Sequence, residues 1–306
     1  MGSQSSLRFR ISNFGFLSSF GSRISAVAVR QDFRPWWPSA RTFGLGISLI
    51  PLCLLLLSSM PVFAQSKPSS MLPAPPIEPA EGEKQARVLV SALLAQRPTQ
   101  NYTNTQIVQI HAKKKPRQEI PVRFLVIPTP TNYLNIYEIT GSPAVGTALT
   151  IVHTPDQPNE YFLRLPVASG AADPVARRLT PAELNLPFAG SDFSIGDLGL
   201  EFLHWPQQRI LRKEIRMKLN CVVLQSTNPN PLPGAYSRVE TWIDANQPDK
   251  TVIVHADAYD LNNKLLKEFE PKKIEKINGA YELEKMEMRN LQTGSRTTIE
   301  FNLDKD

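Results

Sequence analysis

From Tyr102 onward, apolar and polar side chains alternate in runs of five to eleven residues separated by Pro, Gly and Asn. Val122, Phe124 and Val126 share one face of such a run, and Tyr133, Asn135, Tyr137 and Ile139 share one face of the next. A period of two is the mark of a half-buried antiparallel strand, because successive side chains leave the pleated backbone on opposite sides. The pattern predicts strands over 102–111, 120–127, 133–140, 148–153 and 160–165, then, after an interruption, over 217–227, 236–244, 251–261, 265–277, 280–290 and 296–303. Asn228-Pro-Asn-Pro-Leu-Pro-Gly234, Asn262-Asn263, Asn278-Gly279 and Thr293-Gly294 have the composition of hairpin connections. Consecutive antiparallel strands with no crossover helices predict a mainly β fold, an open (half) antiparallel β-barrel of about 10–11 strands, and not a parallel α/β sheet.

Two regions break the rhythm. Residues 81–95 read as a helix, with Glu81 and Glu83 in the first turn, Pro98 beyond the end, and an apolar stripe of Ala86, Leu89, Val90, Leu93 and Leu94. A lone amphipathic helix is marginal in water, so this stripe is expected to lie on the open face of the sheet. In the middle, Thr180-Pro181-Ala182-Glu183 has a cap, a proline at the first helical position and an acid at the third. Ser194 is expected to cap a second short helix that runs to Trp205 and stops at Pro206, with Leu198, Phe202 and Trp205 along one side. These short helices are expected to act as a lid over the concave sheet.

The N-terminal segment changes the meaning of the charge. The chain carries 34 Lys+Arg against 28 Asp+Glu, yet residues 1–64 hold six arginines and the single acid Asp32, so the remainder is balanced to within one charge. Arg41 precedes the apolar run Phe43 to Leu57, which Pro51 interrupts, and small residues lead up to Ala64. The run is short for a spanning helix and has the layout of a signal peptide. The expected organisation is a leader, 1–64, cleaved after Ala64; a Pro-rich linker, 65–80; and a single half-barrel domain, 81–306. That places the protein in the periplasm, with an inner-membrane anchor formed by an uncleaved leader as the alternative. Cys53 falls in the leader, so Cys221 is alone in the mature chain and the fold rests on its core.

Several function classes find no support. The basic excess sits in the leader, which argues against nucleic-acid binding by the folded part. His111, His153, His204 and His255 are scattered without ligand spacing, and no nucleophile elbow, zincin motif, phosphate loop or dinucleotide fingerprint occurs. Cys221 reads as a small buried hydrophobe. No enzyme, metal or cofactor is expected.

The segment 188–303 carries Gly190-Ser191-Asp192-Phe193-Ser194 followed by Asp197-Leu198; Tyr236-Ser237-Arg238-Val239-Glu240-Thr241-Trp242-Ile243-Asp244; Tyr259-Asp260-Leu261; and Met286-Glu287-Met288-Arg289-Asn290-Leu291-Gln292-Thr293-Gly294. In order and spacing it resembles the outer-membrane lipoprotein-sorting family of LolA-like periplasmic carriers. The resemblance implies a half-open barrel whose concave face takes up the acyl chains of a lipoprotein. The cargo would be an acylated lipoprotein or related lipid, carried by a single copy of the chain from an inner-membrane donor toward an outer-membrane acceptor. Residues expected to line the cavity or its lid are Phe124, Val126, Phe188, Phe193, Leu198, Phe202, Trp205, Ile243, Met286 and Met288. A cell-envelope scaffold that holds a protein partner on the same concave sheet stands as the alternative.

Overall fold

The computed structural model describes residues 76–142, 144–166, 175–244, 252–277 and 280–302. The leader, its cleavage point, residues 65–75 of the Pro-rich linker and the Asn278-Gly279 turn lie outside the described residues.

Helix α1 spans Pro79–Leu94. It starts two residues before the expected position because Pro79, with its fixed backbone angle and no N–H to satisfy, takes the first helical place. The Glu78 carboxylate accepts from the Glu81 N–H at 3.0 Å and closes the N-terminus. Thirteen strands follow: β1 Tyr102–His111, β2 Gln118–Pro128, β3 Tyr133–Ile139, β4 Ala148–His153, β5 Glu160–Arg164, β6 Arg177–Arg178, β7 Gln207–Arg216, β8 Leu219–Thr227, β9 Arg238–Asp244, β10 Val252–Tyr259, β11 Leu265–Ile277, β12 Ala280–Asn290 and β13 Ser295–Phe301. All pairings are antiparallel, and the order across the sheet is β6-β5-β4-β3-β2-β1-β13-β12-β11-β10-β9-β8-β7. Two meanders therefore meet where the first strand pairs with the last, Gln106 opposite Phe301. β6 and β7, consecutive in the chain, stand at opposite edges and do not pair, so the sheet is open as expected.

The chain from β6 to β7 must travel from one edge to the other, and its residues 191–200 are buried without exception. This crossing segment fills the concave side. Phe188, Phe193, Leu198, Phe202 and Leu203 join Phe124, Val126, Tyr137, Ile243, Met286 and Met288 of the strands in one apolar cluster, and Leu89, Leu93, Leu94 and Trp205 pack at its margin. On β9, Val239, Thr241 and Ile243 are buried toward this cluster. Trp242 points the other way, into a second small cluster with Cys221, Val223 and Val254. The Arg216 guanidinium lies 4.7 Å from the Trp242 ring centre and shields it from water. Cys221 is a free buried thiol, and burial pushes its pKa up to about 11.

The expected helix from Ser194 to Trp205 is divided. α2 covers Ile195–Leu198, Leu200 takes a left-handed conformation, and a 3-10 turn covers Glu201–His204. The break falls at Gly199, where a Cβ would stand 2.2 Å from the Tyr161 hydroxyl. The chain passes so close to β5 there that a continuous helix does not fit. Among the described residues no helix is long and apolar enough to cross a membrane.

Candidate functional site

The crossing segment is pinned to the sheet by polar side chains. Thr297 and Ser295 on β13 donate to the two carboxylate oxygens of Asp192, at 2.8 and 2.5 Å, and the Asp192 N–H returns a bond to Thr297 Oγ1 at 2.8 Å. Lys267 on β11 donates to the Asp192 carbonyl at 2.7 Å and lies 3.6 Å from Asp197. Ser194 and Asp197 cap α2 reciprocally, at 2.7 and 3.2 Å, and the Tyr236 hydroxyl donates to Asp197 at 3.1 Å. Burial, then the Asp197 charge, raises the Tyr236 hydroxyl far above its ordinary pKa, so it stays a donor. At the far end, Gln208 on β7 donates to the Phe202 and Trp205 carbonyls at 2.9 and 2.8 Å and accepts from Ser226 at 2.6 Å. The Gly190-Ser191-Asp192-Phe193-Ser194 run thus owes its pattern to this clamp: Asp192 and Ser194 face polar partners while Phe193 enters the core.

Between this segment and the sheet a space of about 20 Å³ lies next to Phe202, Val239 and Met288, and one of about 240 Å³ lies by Asp192, Lys267 and Asn290. The larger volumes lie elsewhere. A cleft of about 550 Å³ runs between the C-terminal half of α1, the β4–β5 loop and the end of the crossing segment. Its apolar walls come from Val90, Leu93 and Leu94 of α1 on one side and Leu200, Leu203 and Trp205 on the other. A second cleft of about 470 Å³ lies on the far side of the crossing segment, against the β8–β9 loop, and Trp205 borders both.

Polar groups line and adjoin the larger cleft. The His153 ring stacks on Tyr133 with centroids 4.4 Å apart, and its Nε2 lies 3.0 Å from the Asn135 amide nitrogen. Burial, then neighbouring His204, holds the His153 pKa down at about 3, and burial also lowers that of His204. Asn159 donates to the Gly199 carbonyl at 2.7 Å and ties the β4–β5 loop to the crossing segment. Tyr161, its pKa raised well above 10 by burial and by Glu201, donates to that carboxylate at 2.8 Å. The Glu201 carboxyl itself is raised by burial. Such a cleft presents hydrocarbon walls, neutral hydrogen-bonding groups and the charged side chains Arg87, Arg97 and Asp156. Among the described residues no cluster of three or more His, Cys, Asp or Glu is arranged to hold a metal ion.

Of the ten residues expected to line a cavity, Trp205 alone borders the larger cleft. Phe202 and Trp205 border the second, and the other eight are packed in the core cluster, with Phe124 and Val126 at 0 % exposure. Leu93, His153, Asn159 and Leu203 were not among the expected lining residues, although Leu93 belongs to the apolar stripe expected to face the sheet. They come from three segments, α1, the β4–β5 region and the crossing segment, that meet through the tertiary fold; the one local hint is the proline-flanked loop Pro155 to Pro158 after a strand that ends in His153.

A family model with the description "Uncharacterized protein" matches residues 142–303, a little over half of the chain. No curated protein sequence matches it. Among solved structures, a DUF1329 family protein from Desulfovibrio piger is 19% identical with a TM-score of 0.57, the match covering 72% of this chain and 91% of that one. A domain described as an outer membrane lipoprotein-sorting protein from Vibrio parahaemolyticus is 17% identical with a TM-score of 0.58, over 73% of this chain and 91% of that one. The likeness is one of fold.

Proposed function

We infer, from the premise that the chain belongs to the family whose "Uncharacterized protein" model spans residues 142–303, that it is a non-enzymatic lipid or lipoprotein carrier of the cell envelope. It shelters hydrocarbon in the cleft between α1 and the crossing segment. The observation that carries this reading is the cleft itself: about 550 Å³, walled by leucines, Val90 and Trp205, with Arg87, Arg97 and Asp156 among its polar lining. A volume of that size suits one small apolar ligand. Each methylene transferred from water contributes roughly 0.8 kcal/mol, so a single acyl chain is held firmly and released without covalent chemistry. The fold shared with a lipoprotein-sorting domain supports an acylated lipoprotein as cargo. In the periplasm such a carrier would load from an inner-membrane donor and unload at an outer-membrane acceptor.

The test uses lipid-stripped protein and a fluorescent fatty-acyl probe. Wild type takes up the probe, and Trp205→Asp, which charges the wall shared by both clefts, lowers affinity at least tenfold while shifting the melting temperature by only a few degrees. Failure of the wild type to take up any acyl probe overturns the reading. A scaffold function is the competing reading, supported by Ile215 and Met217, which are 57% and 56% exposed at the β7–β8 hairpin. It predicts a protein partner whose recovery is lost in Met217→Asp and untouched in Trp205→Asp.

A further inference from the structure

Residues 113–118, in the turn that joins β1 to β2, are exposed without exception. Lys113, Lys114 and Lys115 occupy it in succession, the Lys115 N–H closing onto the Ala112 carbonyl at 3.2 Å. Lys114 has a φ of 60°, a left-handed conformation that favours Gly or Asn. The sequence therefore keeps three like charges together at a tight bend, with a side chain where the backbone prefers none. Local stability explains neither choice, since neighbouring ammonium groups repel and a branchless residue would relax the bend.

The surroundings do not neutralise this charge. No carboxylate among the described residues forms an ion pair with any of the three lysines. Arg117 is paired to Glu119 at 2.6 Å, and Arg296, opposite His111 in the β1–β13 register, reaches Glu287 only at 3.9 Å.

We propose that the β1–β2 turn is a docking element for anionic membrane surfaces, its lysine ammonium groups meeting lipid phosphates. Three features select a membrane over a protein. The turn is exposed and borders neither cleft. Ala112 and Pro116 are its only apolar side chains, which gives a protein partner no aromatic or aliphatic anchor. Lysine is depleted at protein interfaces and acts as a hydrated point charge suited to a diffuse layer of phosphates.

The experiment is vesicle co-sedimentation of the full chain, read as the ratio of binding to phosphatidylglycerol vesicles over binding to phosphatidylcholine vesicles, so that any apolar contribution cancels. Wild type favours the anionic vesicles, and the preference falls steeply with added salt. The triple variant Lys113→Gln/Lys114→Gln/Lys115→Gln loses preference about a hundredfold, at roughly fivefold per charge. The control Lys84→Gln/Lys213→Gln/Lys285→Gln, with the same change in net charge, loses less than about fivefold. An equal loss in the control, or no anionic preference in the wild type, overturns the proposal. So does lysine-dependent binding to polyglutamate in the absence of any vesicle binding. All six positions lie off the core, and unchanged melting curves for both variants verify the comparison.

Discussion

The crossing segment and α1 both cover the concave side of the sheet, yet they are held in different ways. Residues 191–200 are wholly buried; Asp192 is bonded to β11 and β13, Asp197 to Tyr236, and just beyond them the Phe202 and Trp205 carbonyls accept from Gln208 of β7. α1 buries only Gly82, Ala86 and Val90, and Val88 on its outer side is 70% exposed. Its closest approach is at Gly82, where a Cβ would stand 2.4 Å from the Ile210 carbonyl oxygen. The difference assigns roles: a segment clamped by buried polar bonds is a wall, and a helix resting on a narrow apolar stripe can lift. Elements that move are drawn from the least stable parts of a structure. The cleft lies between the two.

The largest effect should come from the wall. Phe193→Ala, at a position only 1% exposed, is expected to cost about 4 kcal/mol in denaturant unfolding; a loss below about 1 kcal/mol would mean that the segment is no more fixed than the helix. Next comes the cleft floor. Above pH 6.5 His153 is neutral in both folded and unfolded chains, and its share of stability is fully present. As the pH falls toward its folded value of about 3, only the unfolded chain gains the proton, and stability declines by up to about 1.4 kcal/mol per pH unit. His153→Phe, which keeps the stack on Tyr133, should flatten that decline between pH 6 and 4, leaving the smaller slope due to His204.

Gly82→Ala sharpens the comparison through its sign. Alanine favours a helix by about 1 kcal/mol, whereas the clash with Ile210 costs about 1–3 kcal/mol if α1 stays seated. A movable helix should show little net change in global unfolding and faster amide exchange in residues 83–94. A loss of 2 kcal/mol or more would make α1 a second wall. At the wall the smallest loss is expected from Ser194→Ala, which removes one half of the α2 cap and should cost about 1 kcal/mol without altering probe uptake.

Much of the sheet was legible in the chain. The ends of β1, β4, β11 and β12 fall where the alternation places them, because strands with one buried face advertise their period. β7 was missed for a physical reason. Gln207 to Arg216 contains five charged residues, as an edge strand does to discourage pairing with other chains, and so reads as a loop. β6, only Arg177–Arg178, is too short to carry a period. Phe193 and Phe202 were legible as apolar, but the sequence does not separate core from lid, since a filled interior and a lined cavity demand the same residues. Which it is depends on how tightly Asp192 is held, and its partners Ser295 and Thr297 lie more than a hundred positions away, 103 and 105.

The seam between the opening and closing strands has a consequence for how the chain can be made. Asn104 reaches the Asn302 carbonyl across 198 positions of sequence, so the join at the centre of the sheet forms only after β13 has been made. Until β13 arrives, β1 and β12 each present a raw margin of unpaired amides, the kind of surface that recruits a neighbouring chain. Premature termination before Ser295 would therefore yield two half-sheets with sticky flanks and not a shortened version of the protein.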